Sequence, residues 1–464
     1  MDLLVNKGKM DTALPCRPLA GRSRGRARLL RRASSTALAL ALSVTVHLFA
    51  DGFKIAAFNP GGQIDWTNAF GNGVCTIETA PLPVGDTTPR WQPGSNYFTT
   101  SATGQAQVPV GVSNVLVRLL AVDVSAGTAQ GCTNLLQSYG TLTTIAGSGF
   151  GALDNVNYWD PGYEGGYATS AALSRPHFAM ADAAGNVFIV DKCSDSVLKV
   201  TVDGRIHTVA GTHVDGFNGD GPAVATSLEL SQPNGLYVQA DGTFYVLDTG
   251  NGRVRRVDTN GVMSTLFVVP GGISTGRGLW VSAAESSVFL CDGTKFEEWT
   301  PAGGVSVLNN KFNELGNLIV NAAGDAIVTD RGADKVYRVD IRGKNQGDRT
   351  LLYGDGKSDP VVDGTSAVTG SLNGVRGVWE LPTGGYFLAL HEGSQLLYVD
   401  PAKVMHVFVD GQPGVHAGDG LWFHSPGPKL SELRSVSMDN RGNIMIVESD
   451  AGYVRRIQFQ RLNP

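Results

Sequence analysis

The sequence predicts an all-β protein whose larger part is a six-bladed β-propeller, and three observations support this prediction. A motif written GNVFIVD at 185–191 returns as GTFYVLD at 242–248 and, in weaker form, four more times. Its last position recurs at steps of 57, 44, 38, 60 and 58 residues, at Asp191, Asp248, Asp292, Asp330, Leu390 and Glu448. Between the copies, short apolar runs alternate with Asp-Gly and Asn-Gly turns, which favours strands over helices. Self-similarity at this period predicts a repeat architecture of six units.

The pattern within each unit predicts four strands. An apolar first strand such as 178–181 leads through a turn containing glycine to the second strand, and a loop that begins at the repeated Asp leads to a third. A tight Asp-Gly or Asn-Gly turn then returns the chain as a fourth strand, such as 207–210. One sheet of this size cannot bury both of its faces, whereas six sheets stacked around an axis bury one another.

The last unit predicts how the ring closes. It contains the segments 433–439, 444–448 and 453–459, so its fourth strand is missing. Upstream, 143–147 (TTIAG) matches the fourth strand of the first complete unit, TVAG at 208–211. We therefore expect 143–147 to complete the last blade, which closes the ring and leaves no exposed sheet edge.

The repeated residues resemble the NHL repeat. The resemblance rests on Thr-Ile/Val-Ala-Gly, a glycine-rich loop with Asp-Gly, then Ala, Leu, Pro and Gly, and the strand that ends in Asp. The fullest copy contains Thr208 to Gly211, Gly219 to Gly221, Ala223, Leu228, Pro233, Gly235 and Tyr245 to Asp248. The resemblance covers about residues 141–464, roughly 70 % of the chain, and implies a six-bladed propeller, which we expect to extend over 139–464. It implies little about activity, because the family contains both binding scaffolds and a few enzymes.

Residues 1–50 differ from the rest and predict a signal peptide. Nine of the 37 Lys and Arg and two of the 42 Asp and Glu lie there, and an apolar run of about 15 residues follows the basic part. The run is short for a membrane span, which needs ~20 residues; an uncleaved anchor is the alternative. We therefore expect a protein that is secreted or held in the periplasm or cell envelope.

The remainder of the chain is acidic. Without the leader, 28 basic residues face 40 acidic ones, a net charge of −12. An acidic surface argues against nucleic acid and anionic membranes as partners. No other segment is apolar and long enough to span a bilayer.

Residues 51–138 predict a second, small β unit. Short period-2 strands with an early Trp, a central Trp and a late apolar-Arg-Leu-Leu strand make it similar to fibronectin-type-III β-sandwiches. The alternative is an extension packed on the side of the propeller. An exported chain would be able to oxidise Cys75 and Cys132, whereas Cys193 and Cys291 belong to blades one and three, which do not touch in a ring.

The candidate binding site is the mouth of the propeller channel. In a propeller the first strand of each blade lines this channel, and ligands usually bind where these strands begin. The equivalent first positions are His177, Asn234, Arg277, Gly316, Arg376 and Arg434. Converging guanidinium groups repel one another, so an anion must accompany them. Either a carboxylate or phosphate ligand binds there, or the protein's own acids, such as Glu432 and Glu314, neutralise a structural ring.

Metal sites are weaker candidates. The repeated Asp residues suggest calcium, but an Asp after a strand also accepts backbone N–H groups of the next loop without a metal. Imidazoles and a carboxylate at His416, Asp419 and His424 offer zinc ligands, although none has the spacing that aligns ligands on one strand or helix.

The sequence favours a non-catalytic binding protein. It contains no nucleophile elbow and no phosphate-binding loop. The six-bladed relatives that the resemblance brings in include metal-dependent lactonases and an amidating lyase, which hold a metal with acids, Asn or His at the mouth. A hydrolase or lyase dependent on Ca²⁺ or Zn²⁺ is therefore the alternative, although Arg dominates these positions here. The ligand class stays open between an anionic small molecule, a glycan and a protein.

Overall fold

A computed structural model describes residues 41–42, 54–59, 62–67, 70–81, 88–107, 115–149 and 153–462. The predicted leader, 1–50, lies outside the described residues except for Ala41–Leu42. Strands dominate, and the described residues contain one α-helix, α1 (Ala129–Gln137). Short 3-10 turns lie at Pro161–Tyr163, Ala168–Ser170, Lys192–Ser194, Ala225–Ser227 and Gly343–Asn345. None of the helices in the described part of the chain has the length and apolar character needed to cross a membrane.

The N-terminal unit consists of two small sheets. Its strands are β1 (Ala41–Leu42), β2 (Lys54–Phe58), β3 (Gln63–Thr67), β4 (Gly73–Pro81), β5 (Gln92–Thr99), β6 (Thr103–Gln107) and β7 (Val115–Asp123). One sheet has the order β1-β7-β4-β5 and the other has the order β2-β3-β6. Between them, Ile64 and Trp66 from β3 pack against Cys75, Ile77 and other residues of β4 and β7. The two sheets pack face to face through these residues, so the unit is a β-sandwich, and β4 is also buried on its other face, where Val74 belongs to the core shared with the propeller.

The structure does not join Cys75 to Cys132, a pairing that the sequence left open. All four described cysteines are free. Cys75 lies on β4 inside the sandwich core, whereas Cys132 lies on α1 beside the propeller. Burial raises the pKa of the Cys75 thiol to about 12, which keeps it protonated and unreactive.

Six four-stranded antiparallel sheets follow and form the propeller. Blade one contains β9 (Pro176–Ala181), β10 (Val187–Asp191), β11 (Ser196–Val200) and β12 (Ile206–Ala210). Blade two contains β14 (Gly235–Val238), β15 (Phe244–Asp248), β16 (Arg253–Val257) and β17 (Val262–Val268), and β13 (Ala223–Val224) adds a fifth strand at its edge. Blade three contains β18 (Leu279–Val281), β19 (Val288–Asp292), β20 (Lys295–Thr300) and β21 (Gly304–Asn309). Blade four contains β22 (Leu315–Val320), β23 (Ala326–Asp330), β24 (Lys335–Val339) and β25 (Arg349–Tyr353). Blade five contains β26 (Val375–Glu380), β27 (Tyr386–Leu390), β28 (Leu396–Val399) and β29 (Met405–Val409). Blade six contains β30 (Leu433–Met438), β31 (Ile444–Glu448) and β32 (Tyr453–Ile457), together with β8 (Leu142–Ala146).

The ring closes as the sequence predicts. Strand β8 pairs with β32 of the last blade, with Leu142 opposite Ile457 and Thr144 opposite Arg455. Leu142 and Ala146, at the two ends of β8, are fully buried and belong to the cores on either side of the last blade. The all-β, six-bladed fold is therefore confirmed.

The second strand of each blade explains why the repeat motif is so apolar. In β10, for example, every residue is buried, because each face of the blade packs against a neighbouring blade. Between blades one and two, Phe188 and Val190 contact residues such as Phe244 and Val246. A strand buried on both faces needs a continuous apolar run instead of alternation.

The repeated carboxylate ends that strand and accepts backbone N–H groups. Its carboxylate accepts a hydrogen bond from the backbone N–H of the residue 17 or 18 positions earlier, in the loop that leads into the first strand of the same blade. The accepted groups are Ser174 N by Asp191 (2.9 Å), Ser231 N by Asp248 (2.8 Å), Ser274 N by Asp292 (2.7 Å), Asn313 N by Asp330 (3.0 Å) and Ser431 N by Glu448 (3.2 Å). The sequence prediction assigned these carboxylates to the following loop, whereas the shared contact is with the preceding one. Each carboxylate thus ties the strand end to the channel-side loop of its blade.

The N-terminal unit packs against blades five and six. Tyr139, which follows α1, contacts the rings of Phe408, Phe423 and Phe459 at centroid distances of 5.5, 6.1 and 4.8 Å. Phe98 of the sandwich stacks on Phe459 at 4.3 Å. A hydrogen bond of 2.6 Å from Asn96 Nδ2 to the carbonyl of Ser138 holds the same junction. One apolar core therefore spans both parts of the molecule.

Candidate functional site

The predicted mouth residues lie where the first strands of the blades begin, and bulges set their positions. In blade one, β9 pairs Pro176 and Phe178 with consecutive residues of β10, so His177 has no partner across the ladder. Arg376 of β26 and Arg434 of β30 occupy the same extra position. A bulge turns its side chain out of the regular alternation, so these three side chains leave the blade-to-blade packing.

The blade-four position, Gly316, has a steric reason to be glycine. A Cβ atom there would lie 2.4 Å from Thr329 Oγ1 and 2.7 Å from the backbone carbonyl of Arg376. The hydroxyl of Thr329 donates to that carbonyl at 2.8 Å, which bridges blades four and five. Gly316 therefore permits close approach of two blades and carries no binding group.

Five arginines share the mouth, two more than the sequence prediction named. The charge on Arg277 is opposed by those on Arg331, Arg434, Arg376 and Arg175. Arg175 immediately precedes β9 and has a left-handed backbone, with φ of 65°. Arg331 follows the repeated Asp330 at the end of β23. Arg175 precedes the aligned first position of its blade, and Arg331 follows the second strand of blade four. A comparison of the first positions alone therefore misses both.

Four carboxylates neutralise four of these arginines. Arg376 donates to Glu392 Oε1 at 2.5 Å, and Arg434 donates to Asp450 Oδ1 at 3.0 Å. Arg175 contacts Asp450 at 3.2 Å and also pairs with Asp154. The remaining pair is Arg331 with Glu314. Of the two predicted acids, Glu314 therefore pairs with a mouth arginine, whereas the carboxylate of Glu432 accepts a hydrogen bond from Ser431 Oγ.

Arg277 is left without a carboxylate among the described residues. Its Nε atom is buried and has no hydrogen-bond partner. Burial, together with the four neighbouring guanidinium groups, holds the pKa of Arg277 well below its usual range. Of the five guanidinium groups, Arg277 is the one without a carboxylate partner, and Lys192, which follows the repeated Asp191, adds a further positive charge close to it.

His177 and Asn234 form a hydrogen-bonded pair next to these charges. His177 Nδ1 donates to Asn234 Oδ1, which leaves Nε2 as an acceptor that is buried and unpartnered. Burial and the nearby charges of Arg434 and Arg277 hold the pKa of His177 well below its usual range. The imidazole is therefore neutral at physiological pH and adds no positive charge to the mouth.

His391 joins the two carboxylates of blades five and six. Its Nδ1 lies 3.3 Å from Glu392 Oε1 and its Nε2 lies 3.2 Å from Asp450 Oδ2. Burial alone would raise the pKa of both acids, but the adjacent His391 ring and the charges of Arg376 and Arg434 hold the pKa of both far below its usual range. Both carboxylates are therefore ionised and committed to protein partners. The sequence prediction did not place His391 at the mouth.

The alternative metal ligands are not brought together. His416 donates to Glu448 Oε2 at 2.6 Å and stacks on Tyr453, whereas Asp419 accepts from Arg455 at 2.6 Å. His424 donates from Nδ1 to the carbonyl of Phe408 at 2.9 Å, in the wall of a cavity next to α1. Across the described residues, no group of three or more His, Cys, Asp or Glu side chains is arranged to hold a metal ion.

Fold and mouth together define the class: a β-propeller with a polar, arginine-rich channel opening. Solved propeller structures are similar to this chain. An auxiliary nutrient binding protein from Bacteroides ovatus is 13 % identical, with a TM-score of 0.53 over 86 % of this chain and 99 % of that one. One from Bacteroides thetaiotaomicron is 12 % identical, with a TM-score of 0.53 over 89 % and 98 %. A protein of unknown function from the latter organism has a TM-score of 0.54 at 14 % identity, over 89 % and 99 %. At these identities the likeness shows the fold.

Matches to curated proteins are short. Human Teneurin-1 is 35 % identical over 74 residues, which are 14 % of this chain and 3 % of that protein. The Arabidopsis thaliana chloroplastic protein SUPPRESSOR OF QUENCHING 1 is 30 % identical over 105 residues, 22 % of this chain and 10 % of that protein. The chain therefore spans a tenth or less of the curated relatives it matches. No protein-family model matches the chain.

Proposed function

We propose that this chain is an exported binding protein that holds an anionic ligand at the channel mouth. The observation that carries the proposal is Arg277, a partly buried residue whose guanidinium has no carboxylate partner among the described residues, whereas the four arginines around it each have one. A partly desolvated charge surrounded by like charges is costly, and a bound anion lowers that cost. The mouth also gathers polar groups from every blade, which suits ligand recognition.

The unpaired guanidinium of Arg277 favours a carboxylate ligand. Its planar donors suit the two oxygens of a carboxylate. A ligand with several charges would have to displace Glu392 or Asp450 from Arg376 or Arg434. Small organic acids and acidic sugars both meet this requirement, and a protein carboxylate would meet it as well.

Calorimetric titration and thermal melts with acetate, citrate and phosphate, at constant ionic strength set with chloride, test the proposal. We expect acetate to raise the melting temperature of the wild-type protein, and we expect Arg277→Gln to abolish that rise. Arg253→Gln is the matched control, because Arg253 pairs with Asp220 away from the mouth. Equal responses to acetate in the wild type and in Arg277→Gln would overturn the proposal.

A metal-dependent hydrolase or lyase at the same mouth is the competing function. It requires Ca²⁺ or Zn²⁺, and metal analysis of the untagged protein separates it from simple binding. Stoichiometric metal that is lost in His177→Ala or His416→Ala would favour the enzyme. Metal-free protein that still binds acetate would favour the binding role.

The finer assignments belong to the same proposal. The six blades are NHL repeats, 51–138 is a fibronectin-III-like sandwich and 139–464 is the propeller. The leader 1–50 sends the protein to the cell envelope or the medium, and its removal takes only the two-residue edge strand β1 from the sandwich. Mass spectrometry of the mature N-terminus from an expressing cell tests the leader, and an unprocessed N-terminus would contradict it.

A further inference from the structure

A second cavity lies further along the propeller channel than the arginines. Its volume is about 280 Å³, and the first strands of blades one to five line it. Met180, Tyr237, Trp280, Ile319 and Trp379 contribute to it, and each lies three residues after the mouth position of its blade. At about 3.3 Å per residue, this places the cavity some 7 to 10 Å from the arginine ring.

The lining is apolar, with four aromatic rings among aliphatic side chains, and it is nearly free of charge. The rings of Tyr237 and Trp280 meet at 62° with centroids 5.9 Å apart, so they form two walls at an angle. Trp280 in turn packs on Phe289 at 5.8 Å, which fixes its position. Tyr237, Trp280 and Trp379 are only partly buried, so part of each ring is accessible from the cavity or its opening.

Glu380 is the single charged residue among those that line the cavity. Its carboxylate is held by the backbone N–H of Ala322 at 2.8 Å and by the hydroxyl of Tyr386 at 3.3 Å. Neither partner carries a positive charge, and Glu380 takes part in none of the salt bridges found among the described residues. The negative charge at the cavity is therefore unbalanced, in contrast to the positive excess at the mouth.

We propose that this aromatic cavity binds an organic cation that carries methyl groups, of the quaternary ammonium class. Aromatic faces attract such a cation through their quadrupoles, and methyl groups fill an apolar volume that a hydrated metal ion or a lysine would not. The carboxylate of Glu380 supplies the counter-charge. The volume is at the lower end for ligand pockets, which suits a small head group.

Titration of the full chain with choline chloride, followed by calorimetry, tests this inference. The matched ligand is dimethylbutanol, in which a carbon atom replaces the nitrogen of choline, so that shape is kept and charge is lost. We expect choline to bind at least about tenfold more tightly than this alcohol. Glu380→Gln is expected to weaken choline binding severalfold and to leave binding of the alcohol unchanged.

Ring variants separate the cavity from the rest of the fold. Trp280→Leu is expected to weaken choline binding about tenfold, whereas Trp280→Phe, which keeps an aromatic face, weakens it by less. Trp299→Leu is the control, because Trp299 lies in the same blade and stacks on Phe267 outside the cavity. Equal affinity for choline and the alcohol, saturable binding of glucose without binding of choline, or no binding of either probe would overturn the proposal. If a ring variant fails to fold, the comparison of choline with the alcohol on the wild-type protein still decides the proposal.

Discussion

At the scale of single residues, the mouth arginines have different roles although they occupy equivalent positions. Arg434 and Arg376 are tied to Asp450 and Glu392, so they belong to a structural network as well as to the mouth. Arg277 has no such partner and is surrounded by like charges. The sequence presented two alternatives for the whole ring, ligand binding or internal neutralisation. Internal neutralisation accounts for Arg376 and Arg434, and ligand binding is what we propose for Arg277.

This division predicts opposite effects on stability. In the absence of added anions, Arg434→Ala should lower the free energy of unfolding by about 1 to 3 kcal/mol, because Asp450 loses a hydrogen-bond donor in a buried setting. Arg277→Ala should leave it unchanged or raise it, because repulsion is relieved and no partner is stranded. Urea unfolding of both variants in chloride buffer measures the difference. Similar losses in both would show that Arg277 has a structural role.

Tyr139 carries a second prediction at this scale. Its side chain is fully buried, and its hydroxyl has no hydrogen-bond partner. Tyr139→Phe removes that hydroxyl and keeps the ring, so it should raise the free energy of unfolding by up to about 1 kcal/mol. Tyr139→Ala instead opens a cavity between the sandwich and the propeller and should cost about 3 to 5 kcal/mol. Chemical denaturation of both variants tests the pair, and a loss of stability in Tyr139→Phe would contradict it.

At the scale of elements, the repeated carboxylate joins the second strand of a blade to the loop before its first strand. The loops differ in length and composition, but the contact recurs in five blades. In blade five Leu390 takes the position, and Asp334 of the preceding blade accepts from Gly374 N at 2.8 Å instead. Turn chemistry thus explains this ring of acids without a metal.

Asp191, at the end of β10 in blade one, is expected to make the free energy of unfolding depend on pH. Burial raises the pKa of Asp191 to about 7 in the folded protein, against about 4 in an unfolded chain. Between these values the folded state holds a proton that the unfolded state has released, so the free energy of unfolding falls as pH rises through this window. Asp191→Asn should remove about 2 to 4 kcal/mol of that fall. Urea unfolding from pH 4.5 to 7.5 measures it, with exposed Asp359→Asn as control, and parallel profiles would contradict it.

The closing strand β8 gives a further prediction. Leu142 is fully buried in the core that the last blades share with the N-terminal unit. Leu142→Ala should cost about 2 to 5 kcal/mol and should weaken the ring as a whole, because one strand closes it. Thr143→Ala, at the next and only partly buried position, should cost less than about 1 kcal/mol. Denaturation followed by both fluorescence and circular dichroism tests this, and a loss confined to one probe would contradict a cooperative ring.

At the scale of the whole molecule, the repeat made the fold predictable. The spacing of the motif fixes the number of blades, and the TTIAG match fixes the closing strand, because both are signals along the chain. The partners of the mouth arginines follow from tertiary structure instead. Asp450 and Glu392 lie in loops after other strands, and the bulges that turn out Arg376 and Arg434 leave no mark in the pattern. The sequence left the pairing of Cys75 with Cys132 open for the same reason, because their separation in space is not visible in composition.

The pairing of β8 with β32 also governs the order in which the molecule assembles. Thr143 and Arg456 face each other across 313 positions of the chain. Bringing such distant segments together costs about 5 kcal/mol in chain entropy, whereas the hairpins of each blade form from neighbouring residues. Five blades are therefore able to form while the chain is still being synthesised or translocated, whereas the sixth is complete only when residues 453–457 are available. Joining the ring is expected to be the slow, final step of folding.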